Sequence, residues 1–489
     1  VAATSTAVPA EQAPVVGSIP LTPIQAWFFA RGGPDPSHFN QSFLLAVSRD
    51  LDPALLPAVL GQLVAHHDAL RMRYEPGDDG VRQIGEPPGA EAPWLRIDLE
   101  ALPPLQQSAA LTQAAAAVQA SLDLSRGTLV RAALFGLGGE GLRLLIAVHH
   151  LAVDAVSWRI LLEDLQTACR ALAAGRPVQL PLKTTSFKEW AERLLAFTRA
   201  GGFDDELESW LSAGRTGGAP LPVDLAGGVN SVASRRSVAV SLAAEETGAL
   251  LREVLPVYRI EVQDALVWAL ATACARWSGS GAFLLDLEGH GREPLFPDVD
   301  LSRTVGWFTS LFPVLVELPS AGCDPGAAVV AVRDRLRSIP RQGLGYGALR
   351  YLADRPEVRE GLAALPGAEV VFVYLGQIHP GTEGEALLVP AAEPAGSEQS
   401  PRVARSHLLD VTAVVARGRL EVTWGYSASL HRAATVEALA SAFTTALRDL
   451  MRHCREREEG RYSPSHFPQA ALNREELDDL VASLEMPQD

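Results

Sequence analysis

Cysteine is scarce in this chain, with only four among 489 residues. They are Cys169, Cys274, Cys323 and Cys454, which lie far apart and form no CxxC pair. This spacing excludes a zinc ribbon and a disulfide framework. Sparse, unpaired cysteines are typical of a reducing compartment, so we expect a cytoplasmic location.

An excess of basic charge and long apolar runs are also missing. The chain carries 58 acidic and 42 basic residues, a net charge of −16, whereas nucleic acids and anionic membranes attract basic surfaces. No apolar run approaches the roughly 20 residues that a transmembrane helix requires. The first residues lack the basic flank and apolar core of a signal peptide. We therefore expect neither a nucleic-acid partner nor a membrane partner.

Strand and helix patterns alternate along a composition that is typical of globular proteins, with 47% hydrophobic and 20% charged residues. Near the start, the patterns predict a strand over 42–48, a helix over 53–66 and a strand over 69–74. Far downstream, a strand over 236–242 and a helix over 244–254 repeat this beginning. The repetition indicates two related lobes, each a sheet with packed helices.

The expected domain organisation follows from the repeat and from stretches rich in Gly, Pro and Ala. Two further stretches, 75–93 and 379–403, are expected to be exposed loops. The predicted segments are a linker from a longer polypeptide (1–18), an N-terminal lobe (19–213), an inter-lobe linker (214–230), a C-terminal lobe (231–460) and a C-terminal linker or docking segment with a short acidic helix (461–489).

The stretch HHLAVDAVSW (149–158) ends an apolar strand pattern and begins a helical one. Strand alternation places His149 and His150 on opposite faces, so a regular strand does not let them chelate one ion. Asp154 precedes the helical pattern and is well placed as its N-cap. Three interpretations remain at this point: a pair of core histidines, a metal site that adds the distant His290, and a catalytic base beside a helix start that stabilises anions.

The second half carries polar and glycine-rich stretches inside otherwise apolar sequence. The most distinctive is EGHGRE, which directly follows the apolar strand pattern FLLDL. Together with the histidine stretch it belongs to a set of six ordered motifs. They are TPIQAWF (22–28), HHLAVDAVSW (149–158), EGHGRE (288–293), RTVGWFTSLFPV (303–314), PRQGLGYG (340–347) and FVYLGQ (372–377).

These motifs resemble those of the epimerization domains of nonribosomal peptide synthetases, which belong to the condensation-domain superfamily. The resemblance covers about residues 18–470. One position departs from the family pattern, because Val373 stands where the family has Asn. If that Asn binds substrate or positions Tyr374, the contact is lost or replaced in this chain.

The resemblance implies an α/β fold of two chloramphenicol-acetyltransferase-like lobes, arranged as a V-shaped pseudo-dimer with a tunnel between them. It implies inversion of the α-carbon of an aminoacyl or peptidyl thioester, giving an L/D mixture. The domain itself is expected to bind no cofactor, because the 4'-phosphopantetheine arm is delivered by a carrier protein. The implied partners are an upstream peptidyl carrier protein of the same polypeptide and a downstream condensation domain or docking partner. We expect a monomeric domain within a larger synthetase.

Inversion at an α-carbon sets a demanding chemical requirement. An α-proton beside a thioester is a very weak acid, so catalysis needs a base and stabilisation of the enolate oxygen. A proton must then return to the opposite face of the carbon. The resemblance assigns His150 and Glu288 as opposed acid and base, although strand alternation alone does not choose between His149 and His150. Which of the pair takes the proton from the L-form stays open.

The other candidate residues are expected to support this pair. Backbone N–H groups after Asp154 or the Tyr374 hydroxyl are the candidates for stabilising the enolate. Asp154 is expected to hold its loop against Arg292, Ser157 to cap or pack the helix, and His290 to shape the loop around Glu288. The supporting set is His149, Asp154, Ser157, His290, Arg292 and Tyr374, and no metal is expected.

Two alternatives accompany this assignment. A condensation domain, which forms peptide bonds, shares the HHxxxD motif and the fold. Ala155, where condensation domains usually have Gly, favours epimerization, as do EGHGRE and GWFTSLFP. A catalytically silent carrier-binding relative is the second alternative, and the intact HHxxxD and EGHGRE motifs weigh against it.

Overall fold

The computed structural model describes residues 10–77, 80–89, 93–215, 220–318, 324–378, 386–456, 473 and 476. The expected linker is therefore described only from residue 10 onward, and of the segment in which an acidic helix is expected after residue 461 only residues 473 and 476 are described. Among the described helices, none combines the length and the apolar character required to cross a bilayer.

Strands and helices alternate along the described chain. The strands are β1 (Gly17–Ile19), β2 (Asn40–Val47), β3 (Met72–Gly77), β4 (Gly80–Gly85), β5 (Trp94–Asp98), β6 (Val130–Gly136), β7 (Leu142–His149), β8 (Arg235–Ser241), β9 (Ala282–Gly289), β10 (Ser310–Glu317), β11 (Val370–Ile378), β12 (Leu388–Pro390), β13 (Leu409–Ala416) and β14 (Arg419–Ser427). The α-helices are α1 (Pro23–Arg31), α2 (Leu56–His66), α3 (Pro104–Gln119), α4 (Ala155–Ala173), α5 (Phe187–Arg199), α6 (Leu207–Arg215), α7 (Ala244–Ala249), α8 (Leu255–Tyr258), α9 (Val262–Ser278), α10 (Pro325–Arg337), α11 (Leu344–Leu352), α12 (Pro356–Ala363) and α13 (Ala433–Arg455).

The two large sheets repeat one topology. The first has the order β12-β2-β7-β6-β5, the second has the order β10-β9-β11-β13-β14-β8, and a small third sheet has the order β1-β4-β3. From β2 to β5 the neighbouring strands are antiparallel, antiparallel and parallel, and from β8 to β11 the same sequence of directions recurs. This repeat confirms two related lobes in a mixed α/β fold.

The strand-and-helix units that predicted the repeat lie at equivalent places in the two sheets. Strand β2 is followed by α2, and β8 is followed by α7. The second helix runs further than predicted, through a π-helical turn at Leu250–Val254 into α8. Pro256 lies just after that turn, and a proline inside a helix removes one backbone donor and crowds the preceding turn.

The strand expected at 69–74 begins only at Met72, because Asp68–Arg71 form a 3-10 turn. The Arg71 guanidinium donates to the carbonyls of Val64 and Ala65 at 2.6 and 2.9 Å. These bonds hold residues 68–71 against the end of α2, where carbonyls otherwise lack partners.

Each of the two stretches expected to be exposed loops contains a strand among its described residues. The first contains β4, which pairs with β3 on one side and β1 on the other, and its Gln83 is buried. In the second, β12 pairs with β2, so the C-terminal half supplies an edge strand to the sheet of the N-terminal half. The Gln166 amide donates to the Leu388 carbonyl at 2.6 Å, and Arg143 pairs with Glu393 at 2.7 Å. Residues 379–385 lie outside the described residues.

Helices α5 and α6, from the N-terminal half of the chain, pack against the C-terminal half. The ring of Trp190 contacts Phe296 and Phe308, and the ring of Trp210 contacts Phe312. The main hydrophobic core accordingly extends through both halves without a break.

Candidate active site

Helix α1 anchors the loop that follows the two histidines. The helix begins at Pro23 with Thr22 as the N-cap residue, as predicted. The Gln25 side chain accepts the Thr22 N–H at 3.0 Å and donates to the Leu151 carbonyl at 3.0 Å. Gln25 is fully buried, so this link between α1 and the turn after β7 is shielded from water.

His149 is a core histidine whose two ring nitrogens are both occupied. It ends β7 and is fully buried. Its Nε2 lies 2.8 Å from the Pro36 carbonyl, and its Nδ1 accepts the Leu151 N–H at 3.1 Å. Burial lowers the pKa of His149 to about 3, so the ring is held neutral and has no nitrogen left for chemistry.

His150 lies in the wall of a chamber, and one of its ring nitrogens is held by the backbone. It begins a 3-10 turn, and its Nδ1 lies 2.8 Å from the Val153 carbonyl. Because a carbonyl only accepts hydrogen bonds, Nδ1 carries the proton and Nε2 is the basic nitrogen of the neutral ring. The ring lies against Phe39 and Trp307, with centroids 5.2 and 4.3 Å away. Burial lowers the pKa of His150, which keeps the ring neutral at pH 7.

Glu288 lies near the end of β9 and is the unpaired member of three neighbouring carboxylates. Asp286, two residues earlier on the same face, contacts His407 Nε2 at 2.8 Å. Asp410 is bound by Arg235 at 2.8 Å and by Arg405. In the described part of the chain, Glu288 has no hydrogen-bond or ion-pair partner. Burial, reinforced by the two aspartates, raises the pKa of Glu288 to about 7.

His150 and Glu288, from different halves of the chain, line one chamber of about 440 Å³. A second chamber of about 230 Å³ adjoins it and contains Asp286, His407, Phe308 and Tyr346 in its wall. The two share wall residues from α1, from the start of β10 and from the loop before β13. The shared residues are Ile24, Trp27, Arg31, Thr309, Leu311 and Ser406.

A buried set of polar groups, which we call the latch, joins the halves beside the chamber. Asp154 is the N-cap of α4, as predicted, and accepts the Ser157 N–H at 2.7 Å. Its other oxygen accepts Arg292 at 2.6 Å and the Phe308 N–H at 3.1 Å. The Ser157 hydroxyl donates to the Gly306 carbonyl at 2.8 Å and accepts the Gly306 N–H at 3.0 Å. The latch therefore ties the turn after β7 to the loop after β9.

Asp154→Ala is expected to destabilise the fold by about 3–5 kcal/mol, because it leaves the buried Arg292 cation without its carboxylate. Chemical denaturation followed by circular dichroism measures the loss. Asp52→Ala is the matched control, since Asp52 caps an exposed 3-10 turn through one bond to Ala54, and it is expected to cost about 1 kcal/mol. Equal losses in the two variants would show that the latch contributes nothing beyond a cap.

A second polar contact between the halves includes a group of potential metal ligands. Arg303 donates to Asp164 at 2.5 Å, and the same carboxylate contacts His67 Nε2 at 3.0 Å. His66 brings a third ligand atom, and all three atoms lie within 4.8 Å of one another. The Arg303 cation on the carboxylate disfavours a divalent ion there, so the group is better described as an ion-pair network.

The remaining predicted residues lie apart from the acid–base pair. His290 is exposed; its Nδ1 accepts the Arg292 N–H at 3.0 Å, and its Nε2 lies 3.3 Å from Glu293, which fits a role in shaping the loop. Tyr374 lines neither chamber, and strand alternation turns it away from the face that carries Glu288. The residues from Asp154 to Ser157 line neither chamber either. The geometry thus gives no support to either candidate for enolate stabilisation.

Val373, which stands where the family pattern has Asn, lies on β11 one residue beyond its pairing with β9. Strand β11 pairs with β9 so that Val371 lies opposite Asp286. By alternation, Val373 then follows on the same face as Glu288. Its partner on the other side is Thr412 of β13. Continued alternation therefore places an apolar side chain on the face that carries Glu288.

Comparisons with known proteins agree with this fold and site. Residues 15–472 match the family model described as Condensation domain. A full-length structural likeness is to the epimerization domain from the third module of tyrocidine synthetase B, with a TM-score of 0.85, 34% identity, and coverage of 92% of this chain and 100% of that domain. The chain therefore belongs to the condensation-domain family, and the resemblance to its epimerization domains is confirmed.

Similar segments occur within large synthases. One of the proteins that make up the linear gramicidin synthase of Brevibacillus parabrevis is 45% identical over 482 residues, which is 97% of this chain and 6% of that protein. Chondramide synthase cmdD of Chondromyces crocatus is 43% identical over 490 residues, which is 99% of this chain and 12% of that protein. The chain thus spans about a tenth or less of the length of these relatives.

Proposed function

We propose that this domain epimerizes the α-carbon of an aminoacyl or peptidyl thioester that a carrier protein presents on its phosphopantetheine arm. The observation that carries the proposal is one chamber lined by a neutral His150 and an unpaired Glu288, which come from different halves of the chain. A thioester α-carbon placed between them would have an acid on one side and a base on the other.

The protonation states of His150 and Glu288 suit a reversible inversion. His150 has a lowered pKa, and Glu288 has a raised pKa of about 7. The state with neutral His150 and protonated Glu288 and the state with imidazolium and carboxylate hold the same number of protons. Because burial lowers the pKa of His150 and raises that of Glu288, the first state is favoured at rest, and the second is the state that one inversion leaves behind.

The reaction then proceeds in two proton transfers. One residue removes the α-proton, and the electron pair of the C–H bond moves into the thioester carbonyl to form an enolate. The other residue delivers its proton to the opposite face of the α-carbon, which restores the thioester with inverted configuration. The pair is left in its other protonation state, ready for the reverse direction.

The size of the relatives supports the proposed partners. A segment that spans 6–12% of a much longer synthase fits a domain served by an upstream peptidyl carrier protein and followed by a condensation domain or docking partner. The domain itself would bind no cofactor, because the phosphopantetheine arm arrives with the carrier. We propose a monomeric domain within a cytoplasmic synthetase.

Deuterium exchange tests the proposal. The purified domain is incubated in deuterated water with a carrier protein loaded with one L-amino acid, and the released acid is analysed for mass and chirality. We expect deuterium at the α-carbon and a mixture of L and D forms without a second substrate. A condensation domain would give neither result, and a silent relative would bind the carrier without changing chirality under any acyl load.

Replacement of the apolar neighbour of Glu288 should shift the pH dependence. In Val373→Asn, an amide beside the carboxylate stabilises its charged form, so the pKa of Glu288 should fall below about 7. The limb of the pH–rate profile that Glu288 governs is then expected to move to lower pH, as measured by deuterium exchange from pH 5 to pH 9. Val373→Ala, which adds no hydrogen bond, is the control, and an equal shift in both variants would disprove this account.

A further inference from the structure

The acid–base mechanism leaves one polar contact of His150 unexplained. Gln41 lies on β2, and its side-chain nitrogen is 3.1 Å from His150 Nε2. The Gln41 side-chain oxygen Oε1 is buried and has no partner among the described residues. A buried amide oxygen without a donor is uncommon, because its lost hydration is not replaced. With His150 neutral, the side-chain nitrogen of Gln41 is therefore hydrogen-bonded and its Oε1 is not.

The proton on Nδ1 of His150 determines what the other ring nitrogen requires. Nδ1 faces the Val153 carbonyl, which only accepts hydrogen bonds, so this nitrogen keeps its proton in both charge states. All proton transfer at His150 consequently passes through Nε2. In the neutral ring Nε2 needs a donor, whereas in the imidazolium its N–H needs an acceptor.

A glutamine amide can satisfy both requirements from one place. Its NH₂ group donates to the neutral ring, as observed, and its oxygen accepts from the charged ring after a half-turn of the terminal torsion. That torsion is broad and nearly two-fold, so the half-turn meets no staggered barrier. The unpartnered Oε1 is then the group held in reserve for the imidazolium.

We propose that Gln41 is a positioning residue that turns its amide as His150 gains and loses its proton, donating to the neutral ring and accepting from the charged one. This inference rests on the proposed function, since it assumes that His150 gains and loses a proton during catalysis, but its test requires no epimerase activity. Other charged or titratable groups face the chamber or lie behind the ring, and none is altered by a change at Gln41. Those that line the chamber are Arg31, Asp35, His38, Arg235, Glu288, Glu398, Arg405 and Asp410, and Asp154 acts on the ring from outside it.

The titration of His150 without substrate is the decisive measurement, since it does not depend on epimerase activity. In Gln41→Met, which keeps the length and removes both hydrogen bonds, the imidazolium loses a charge-assisted bond and the neutral ring loses an ordinary one. Charge-assisted bonds are the stronger, so the NMR titration midpoint of His150 should move to lower pH than in the wild type. A glutamine that only donates would give a shift to higher pH, and a merely structural one would give none; either result would overturn the proposal.

Exchange rates supply the second readout. For Gln41→Met we expect a fall of about 10- to 100-fold in kcat for deuterium exchange, with KM for the loaded carrier changed by less than about twofold. Gln41→Glu should hold the imidazolium permanently, raise the titration midpoint and slow exchange at neutral pH; a wild-type rate in either variant would contradict the proposal. Gln83→Met is the matched control, because Gln83 is also buried with an unpartnered Oε1, but it lies on β4 and should leave the His150 titration unchanged. If His150 titrates as expected in a protein that exchanges no deuterium, the proposed function fails while the pairing with Gln41 stands.

Discussion

Glu288→Gln is expected to reduce α-deuterium exchange by about 10³-fold, within the range of 10² to 10⁴ that a positioned acid or base contributes. Glutamine has nearly the same shape but neither accepts nor delivers the proton, so the second face of the α-carbon is left without a partner. The measurement is the rate of mass gain of a loaded L-aminoacyl carrier in deuterated water, together with the chirality of the product. Glu293→Gln is the matched control, since Glu293 lies in the same motif but only contacts His290. Wild-type exchange in Glu288→Gln would rule out the two-residue mechanism.

Glu288→Gln should lower the exchange rate but raise the stability of the fold. The pKa of Glu288 is raised from its usual value near 4.5 to about 7 in the folded state. Between these values the folded protein binds more protons than the unfolded chain, so this residue makes stability fall as pH rises from about 4.5 to about 7. Glutamine does not titrate, and Glu288→Gln should gain melting temperature relative to the wild type across that window. A constant difference from pH 4.5 to pH 8 would show that the carboxyl group has no raised pKa.

His150→Ala is the second substitution expected to abolish turnover, by about 10²- to 10⁴-fold. It removes Nε2, the basic nitrogen in the chamber, and leaves a space between Phe39 and Trp307. Free imidazole is flat enough to enter that space, and we expect it to restore part of the exchange rate in proportion to its concentration. No rescue together with a normal melting temperature would argue that the ring acts by packing rather than by proton transfer.

The neighbouring histidine supplies the control for that experiment. His149→Ala removes bonds to Pro36 and Leu151 and creates a cavity in the core, so it should lower the melting temperature. Exchange per folded molecule should nevertheless stay well above that of His150→Ala. Equal losses of exchange in the two variants would mean that the doublet works as one structural unit.

Local patterns were enough to predict much of the fold. The strand and capped helix that begin each half were visible from alternation and helical spacing, because those signals depend only on neighbours in sequence. The N-cap at Asp154 was predicted in the same way, whereas its pairing with Arg292, 138 residues away, was expected only from the family resemblance. Alternation alone could not decide whether His149 or His150 is the candidate base. That depends on tertiary contacts, because His149 contacts the Pro36 carbonyl and His150 lines the chamber.

Contacts between distant parts of the chain account for what the sequence missed. Strand β12 has only three residues and follows a polar stretch, so nothing local marks it as an edge strand of the other lobe. Asp286 shares the alternation of Glu288 and could have been placed beside it, but its partner His407 comes from a loop more than 100 residues away. Nothing in the sequence around Gln41 indicated a role for it, because its contact with His150 joins residues 109 positions apart.

Strand β12, which the C-terminal half adds to the sheet of the N-terminal half, restricts how far the two halves can move apart. Separation of the halves as rigid bodies would break the backbone bonds between Leu388–Pro390 and β2 and would expose the buried side chain of Leu388. Small openings are therefore expected to pivot about β12, so that parts of the two halves far from β12 separate while its pairing with β2 stays intact. A substrate of the proposed reaction would then enter and leave without loss of the pairing between β12 and β2.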